Sequence, residues 1–348
     1  MAYTTIDDPS VYFQTAIYAG NGSTQSITND GNSDLQPDWI WFANRTNAPR
    51  DRIIIDSTRG VDLSLYSNQT KGDQSLTDVM SSFNSDGFSL ESNVRANESS
   101  QNHVAWQWKA NGGTTASNSD GSITSTVQAN TTAGFSIVTY TGTGSTATVG
   151  HGLGAKPDVY IVKNREEEQD WMGYFNGTAS DPETDGLRLN TTDAITDASS
   201  FWNDTAPTSS VFTVNTSTNV NKSSIDYIAY CFTSIQGYSK FGGYTGTGSE
   251  DGPFVYLGFK PQWILFKNTG AAEEWVLQDT TRNPNNPVTK NIRIDSNIAE
   301  GDASSIDIDF LSNGFKNRSD QAQINSSGVT YIYMAFAEHP FVSSKGAP

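Results

Sequence analysis

Short apolar runs separated by polar turn residues recur along the whole chain, and they predict strands rather than helices. The runs at residues 135–140, 159–162, 225–230 and 263–266 are rich in β-branched and aromatic residues and are bounded by Gly, Asn, Asp or Pro. Helical periodicity is confined to one or two turns around residues 73–82 and 193–201. The pattern therefore predicts an all-β fold.

The strand pattern occurs in three successive copies along the chain. Each copy opens with Tyr-x-Gly-x-Gly-Ser, continues with a proline and an apolar run, and closes with an aromatic strand. The three openings begin at Tyr18, Tyr140 and Tyr244, and the closing strands end at Trp108, Phe232 and Phe336. The copies have nearly equal lengths although their residues differ, which indicates a repeated folding unit.

The density of strand signals favours β-sandwiches, in which two antiparallel sheets pack face to face. We predict three tandem, jelly-roll-like β-sandwich modules of about 90–100 residues each, at residues 1–110, 133–236 and 237–348. Residues 111–132 form a linker or a strapping strand, with strand signals at 122–128. Because this connector is long, we expect the first module to be the most independent and the other two to share an interface.

Charge and composition limit the classes of partner that the protein could bind. The formal net charge is −17 and no cluster of Lys and Arg reverses it locally, which argues against nucleic acid and membrane surfaces. The chain has 1 cysteine, so it forms no internal disulfide. The amino-terminal residues lack the basic and apolar regions of a secretory signal, so we expect synthesis in a cytoplasm.

The sequence shows no recognisable set of catalytic residues, and we expect no metal site and no cofactor. The 3 histidines, His103, His151 and His339, fall in three different copies, which does not favour a shared metal site. Cys231 lies in a closing strand and is interpreted as a buried filler. Acidic residues at 166–168 and 273–274 are interpreted as solvated loop tips, and the alternation at 305–309 as a half-buried strand, with a calcium site as the alternative.

Two residues remain candidates for contact with a ligand or a partner. Trp202 lies in a polar loop without an apolar stripe, so it could stack on a sugar ring or anchor an interface. His151 lies in a loop found only in the second copy.

Residues 134–144, 150–158 and 227–232, with matching stretches at 237–248, 259–268 and 331–340, resemble a repeat domain of unassigned biochemical function in virion structural proteins of tailed, often marine, bacteriophages. The resemblance implies a particle component and supplies no catalytic residues. The first copy departs from the pattern in its opening strand, so we add Tyr12 and Phe13 as candidate attachment contacts.

The expected function is that of a non-enzymatic virion surface protein: a tail fibre, spike or capsid decoration subunit. Its expected partners are other virion proteins and further copies of itself, with a trimer as the simplest homo-oligomer. A carbohydrate-binding adhesin for host attachment is the first alternative, and a glycan depolymerase that uses loop carboxylates is the second.

Overall fold

The computed structural model describes residues 4–178, 181–302 and 305–340, and the fold is all-β, as predicted. Strands account for 42 % of the residues and helices for 4 %, and the sheets are antiparallel, in keeping with the β-sandwich class. The predicted end of the third module, at residue 348, lies outside the described residues. No helix in the described ranges is long and apolar enough to cross a membrane.

Three consecutive stretches of the chain, called here the first, second and third segments, each build one large and one small sheet. The first segment begins with a one-turn 3-10 helix (Pro9–Val11) and contains β1 (Phe13–Ala19), β2 (Gln25–Ile27), β3 (Trp39–Asn44), β4 (Ile53–Asp56), β5 (Leu63–Tyr66), β6 (Gln74–Ser75), β7 (Met80–Phe83), β8 (Phe88–Leu90), the helix α1 (Val94–Asn97) and β9 (Asn102–Trp108).

The second segment contains β10 (Ala116–Asn118), β11 (Ser125–Asn130), β12 (Phe135–Thr141), β13 (Ala147–Gly150), β14 (Val159–Asn164), β15 (Met172–Phe175), a 3-10 helix (Pro182–Thr184), β16 (Asp185–Arg188), β17 (Thr196–Asp197), the helix α2 (Ser199–Trp202), β18 (Val211–Val214) and β19 (Asp226–Phe232). The third segment contains β20 (Ser239–Thr245), β21 (Phe254–Tyr256), β22 (Phe259–Asn268), β23 (Val276–Asp279), β24 (Lys290–Arg293), β25 (Gly301–Asp302), β26 (Ile308–Leu311), β27 (Gly314–Asn317) and β28 (Thr330–Pro340).

The large sheets share one topology, which gives each residue a counterpart in the other segments. Their orders are β1-β9-β3-β4-β5-β6, β10-β11-β12-β19-β14-β15-β16-β17 and β20-β28-β22-β23-β24-β25. In each, the closing strand lies between the opening strand and the strand that follows the proline. The small sheets are β2-β8-β7, β13-β18 and β21-β27-β26.

Both faces of the central strands of each large sheet are buried. In β3, Trp39 and Trp41 point into one hydrophobic cluster while Ile40 and Phe42 point into another, because successive side chains of a strand lie on opposite faces. The counterpart strands β14 and β22 divide their side chains in the same way. The uninterrupted apolar runs of the sequence are therefore strands covered on both sides.

Each segment has its own core between its two sheets, and a fourth cluster joins all three segments. This shared cluster contains Trp108 of the first segment, Phe232 of the second and Phe336 of the third. The ring centroids of Phe232 and Phe336 are 6.1 Å apart, and those of Trp108 and Phe336 are 5.5 Å apart. The expectation that the first segment is the most independent is wrong, because its inward face packs on both of the others.

The connector and the helix candidates differ in outcome. Residues 125–130 form β11, which pairs with β12 and so extends the second large sheet. The helix expected around residues 73–82 is wrong, since those residues form β6 and β7 on either side of a turn. The candidate at 193–201 overlaps the single turn of α2 only at its end.

The glycines of the opening motif are required by geometry. Gly22, Gly144 and Gly248 have φ of 70°, 75° and 66°, which side chains with a Cβ rarely adopt. A Cβ on the preceding glycine of the motif, such as Gly20, would lie 2.1 Å from the carbonyl oxygen of Glu98. The motif is thus a folding signature, as its repetition indicates.

Candidate functional site

Trp202 is fully buried in the core of the second segment, so the expectation of a surface tryptophan is wrong. The turn of α2 directs its ring inward, where the indole Nε1 donates to the carbonyl of Asp185 at 2.8 Å and the ring lies edge-on to Tyr160. The neighbouring Phe201 is buried as well. The adjacent aromatic pair was the available signal of a core element.

His151 is also fully buried and holds its own loop. Its Nδ1 accepts from the backbone N–H of Leu153 at 3.2 Å, and its Nε2 lies 3.3 Å from the carbonyl of Thr208. Burial lowers the pKa of His151, and the hydrogen bond to Thr208 only partly offsets this. The side chain therefore supports the turn and does not contact the surface.

Phe13 and Tyr12 make contacts between segments of the same chain. Phe13 is buried in the shared cluster, with its ring centroid 5.2 Å from that of Phe336. Tyr12 is half-buried and lies edge-on to Tyr238 at 6.0 Å. The unusual opening strand thus docks the first segment on the third.

The other candidate side chains lie in separate places. Cys231 is buried, and burial raises the pKa of its thiol, as expected of a filler. His103 is buried in the first segment and His339 lies half-buried at the end of β28. In the part of the chain that the structure describes, no group of three or more His, Cys, Asp or Glu side chains is placed to hold a metal ion.

Buried polar side chains, several of them with shifted pKa values, lie at the junctions between segments. Three counterpart side chains, Arg52, Trp171 and Trp275, each donate to a carbonyl of another segment. Trp171 Nε1 donates to Tyr66 at 2.8 Å, Trp275 Nε1 to Arg188 at 2.9 Å, and Arg52 Nε to Arg293 at 3.1 Å.

The three acceptor residues are themselves counterparts, since each pairs with the first residue of β4, β15 or β23. The second segment donates to the first, the third to the second and the first to the third. We call Arg52, Trp171 and Trp275 the junction ring. It closes a pseudo-threefold arrangement within one chain.

Two junctions carry a buried ion pair. Asp56 and Arg59 lie 2.7 Å apart, and Tyr230 of the second segment donates to Asp56 at 2.8 Å. Asp279 and Arg282 lie 2.5 Å apart, and Trp106 of the first segment donates to Asp279 at 3.0 Å. The same Asp-x-x-Arg spacing occurs in both segments. In each, the aspartate also accepts from the backbone N–H of the arginine, so the pair stabilises a turn as well as joining segments.

The pKa shifts at these pairs have a simple cause. Burial alone would lower the pKa of Arg59 and of Arg282, but the adjacent carboxylates raise it above the usual value. Burial raises the pKa of Tyr230 well above its usual value. All three side chains keep their protons at any physiological pH.

Among the described residues, the junction between the second and third segments has no such pair. Phe175 is the counterpart of Asp56 and Asp279 there, and Met334 is the counterpart of the donors Tyr230 and Trp106. Both Phe175 and Met334 belong to the shared cluster. A charged acceptor occurs where the neighbour offers a donor, and an apolar side chain occurs where it does not.

Two buried lysines complete the junctions. Lys163 Nζ donates to the carbonyls of Thr70 and Gln169 at 2.9 and 2.8 Å, and its counterpart Lys267 donates to Thr192 at 3.0 Å. Burial lowers the pKa of Lys163 to about 7 and that of Lys267 to about 8. Lysines with such pKa values can act as bases, but these ammonium groups contact backbone carbonyls between segments.

Comparison with known proteins gives a family for the chain. A family model described as a domain of unknown function (DUF7483) matches residues 8–340, which include all three segments. No curated protein and no solved structure matches the chain.

Proposed function

The chain belongs to the DUF7483 family of domains of unknown function, and from that premise we propose that it is a non-enzymatic structural protein of a virus particle surface. The resemblance of its repeats to virion proteins of tailed phages supports this assignment. In this proposal the protein is made in the host cytoplasm and becomes part of a tail fibre, spike or capsid decoration.

The observation that carries the proposal is the closed junction ring. Each segment buries its inward face against the other two, so one chain forms a three-part block with the large sheets inside. The small sheets and loops remain outside. Such a block suits a repeated building unit that must keep its shape in contact with neighbours.

The use of ionisable groups supports the same proposal. The shifted pKa values of Arg59, Arg282, Lys163 and Lys267 belong to side chains whose charges are balanced by carboxylates or carbonyls of the chain. Perturbed groups at catalytic sites usually line a cleft instead. Here both lysines donate to carbonyls of a neighbouring segment. The carboxylates of both arginine pairs accept from Tyr230 and Trp106 of a neighbouring segment, which is the arrangement of a structural junction.

Partners are proposed on the outer surface. The chain supplies three copies of its unit around its own axis, so further copies or other virion proteins would bind the outward sheets and loops. Edge strands of those small sheets offer backbone groups for such contacts. The acidic surface, with a net charge of −17, favours partners that are neutral or basic at the contact.

The test is localisation on purified particles. Antibodies against the recombinant chain should label virions in electron micrographs at regular positions, and protein mass spectrometry should find the chain at a fixed copy number per particle. Native mass measurement of the recombinant protein would give its oligomeric state. Absence of the chain from purified particles, or release of reducing ends from host polysaccharide by the chain alone, would overturn the proposal.

A further inference from the structure

A polar cleft of about 260 Å³ opens where the first and third segments meet. The first segment contributes Asp8, Gln14, Thr15 and Asp30 to its walls, and the third contributes Gln262 and Glu338. The cleft is lined mainly by oxygen and nitrogen atoms. Unlike the buried ion pairs of the junctions, the cleft opens to solvent, and Asp30 in its wall is exposed.

The corresponding space is filled by the chain at the junction of the first and second segments. There Asp38 accepts from the backbone N–H of Ala110 at 2.7 Å, which turns the chain as it leaves the closing strand. Gln128 of the connector then enters, and its Nε2 donates to Thr58 at 2.8 Å and to Ser57 at 3.0 Å. A carboxamide thus occupies this place, bonded to hydroxyl groups.

The third segment leaves the space open because its closing strand does not turn. Gln262 replaces the counterpart aspartate, and β28 runs straight on to pair His339 with Lys260. Thr281, the counterpart of Thr58, accepts from Gln262 Nε2 at 3.2 Å. The cleft therefore keeps the hydroxyl and amide lining of a filled junction.

Thr15 supplies an independent sign of a ligand. It lines the cleft, is 3 % exposed, and its Oγ1 makes no hydrogen bond within the described residues. Its counterparts Ile137 and Phe241 lie in the shared apolar cluster. A buried hydroxyl without a partner costs free energy, so its presence at a position that elsewhere is apolar points to a group that bonds it.

The charges of the lining define the class of ligand. Asp8 accepts from Ser10 and Ser33, and Glu338 lies 2.7 Å from Lys260. With Asp30, carboxylates outnumber the cations around the cleft, which disfavours an anionic ligand. Carboxylates, carboxamides and hydroxyls together pair with the vicinal hydroxyl groups of a sugar ring, which both donate and accept.

We propose that this cleft binds one ring of a neutral saccharide, with the Thr15 hydroxyl and the Gln262 carboxamide as its directed contacts. The volume, somewhat below the roughly 300 Å³ at which small-molecule sites begin, suits a single ring. The proposal goes beyond the structural role and does not depend on it.

Saturation-transfer NMR on the full chain tests the proposal, with methyl glucoside, methyl galactoside and N-acetylglucosamine as probes at millimolar concentration. At least one neutral sugar should bind. Thr15→Val keeps the shape of the side chain and removes its hydroxyl, and Gln262→Ala removes the amide. Each should raise Kd at least about tenfold, the effect of one lost hydrogen bond in a partly enclosed site.

Ser136→Ala provides the matched control, because Ser136 is a buried hydroxyl on the counterpart strand β12 of the second segment. It should leave Kd unchanged. The proposal is overturned if no neutral sugar binds, if both cleft variants bind as the original chain does, or if glucuronate binds as tightly as the neutral sugars. None of these outcomes depends on where the chain lies in a particle.

Discussion

At the scale of single residues, Asp295 stands where the other two segments have asparagine. Asn68 and Asn190 each accept from a backbone N–H and donate to an aspartate, at 3.0 Å to Asp51 and 2.8 Å to Asp170. Asp295 has Glu274 in the corresponding place. Burial raises the pKa of Asp295 to about 7, and the charge of Glu274 adds to this.

Asp295→Asn should therefore stabilise the protein, and more so at higher pH. The folded pKa lies above the unfolded value, so the original chain loses stability as the pH rises from about 4 to about 7, and the asparagine variant does not share this loss. The gain at pH 8 should be on the order of 4 kcal/mol. Urea unfolding at pH 5 and pH 8 measures it.

The reciprocal change provides the control for Asp295→Asn. Asn190→Asp places the same carboxylate beside Asp170 in the second segment, so it should lower stability, increasingly so as the pH rises. A difference between variant and original that stays constant from pH 5 to pH 8 would contradict the account.

His103 gives a second prediction from the comparison of segments. Its Nε2 accepts from the backbone N–H of Glu98, while its counterparts Tyr227 and Tyr331 accept the equivalent bond through their hydroxyls. Burial lowers the pKa of His103 to about 4, so the unfolded chain takes up a proton first, and the folded state loses stability as the pH falls from about 6.5 to about 4.

His103→Tyr should remove this component, about 3 kcal/mol at its full extent. The new ring would stack on Tyr18 as Tyr227 stacks on Tyr140, where the centroids are 5.3 Å apart. Thermal unfolding at pH 7 and pH 4.5 compares the two chains. Equal losses of stability on acidification would show that His103 does not titrate on unfolding.

The sequence alone predicts only some of these residue environments. The equivalence of His103, Tyr227 and Tyr331 follows from the repeat alone. The effect of the Glu274 charge on Asp295 does not, because the two residues flank different strands and only the fold brings them near each other. Trp202 was placed outside for a similar reason: a one-turn helix of four residues is too short to show a periodic apolar face.

At the scale of elements, the buried ion pairs should dominate the strength of the junctions. Asp279→Ala would leave Arg282 charged without its closest partner and Trp106 Nε1 without its acceptor. Such a loss costs about 3–5 kcal/mol. Chemical unfolding should show it as a lower midpoint with an unchanged slope.

Asp251→Ala is the comparison for Asp279→Ala. Asp251 pairs with Lys316 at 2.6 Å, but its side chain is 80 % exposed. Exposed pairs contribute little, so this change should leave the midpoint where it is. Equal effects of the two substitutions would mean that burial does not set the strength of the Asp279 pair.

The sequence predicts most of the strands, since β-branched and aromatic runs bounded by turn residues mark them. It predicts less well what packs against each strand. The runs at 39–42 and 159–162 lack the polar alternation of a sheet with one wet face, which signalled cover on both sides. What provides the second cover is a contact between distant segments, and no local pattern encodes it.

At the scale of the whole molecule, the junction ring and the shared cluster make the three segments depend on one another. The second segment turns Phe135, Val159 and Phe232 toward the shared cluster, where Trp39 of the first segment and Phe241 of the third cover them. The division into domains remains a prediction. A domain in the usual sense has a core of its own and folds alone.

The fragment 133–236 tests that division. Cut free, it would keep most of the core between its two sheets, without Ile123 and Val127 of the connector. It would expose the inward face of its large sheet, together with Trp171, whose Nε1 would lose its acceptor Tyr66. An apolar face of this size is not stable in water on a monomer. We therefore expect the monomeric fragment to lack a near-UV circular dichroism signal and to bind hydrophobic dyes, whereas the full chain unfolds in one calorimetric transition because its segments share a core.

A fragment that associates into trimers would restore the ring between identical copies and would agree with this account. A monomeric fragment with a cooperative transition would instead establish the segment as an independent domain, and the shared cluster would then be an interface rather than a core.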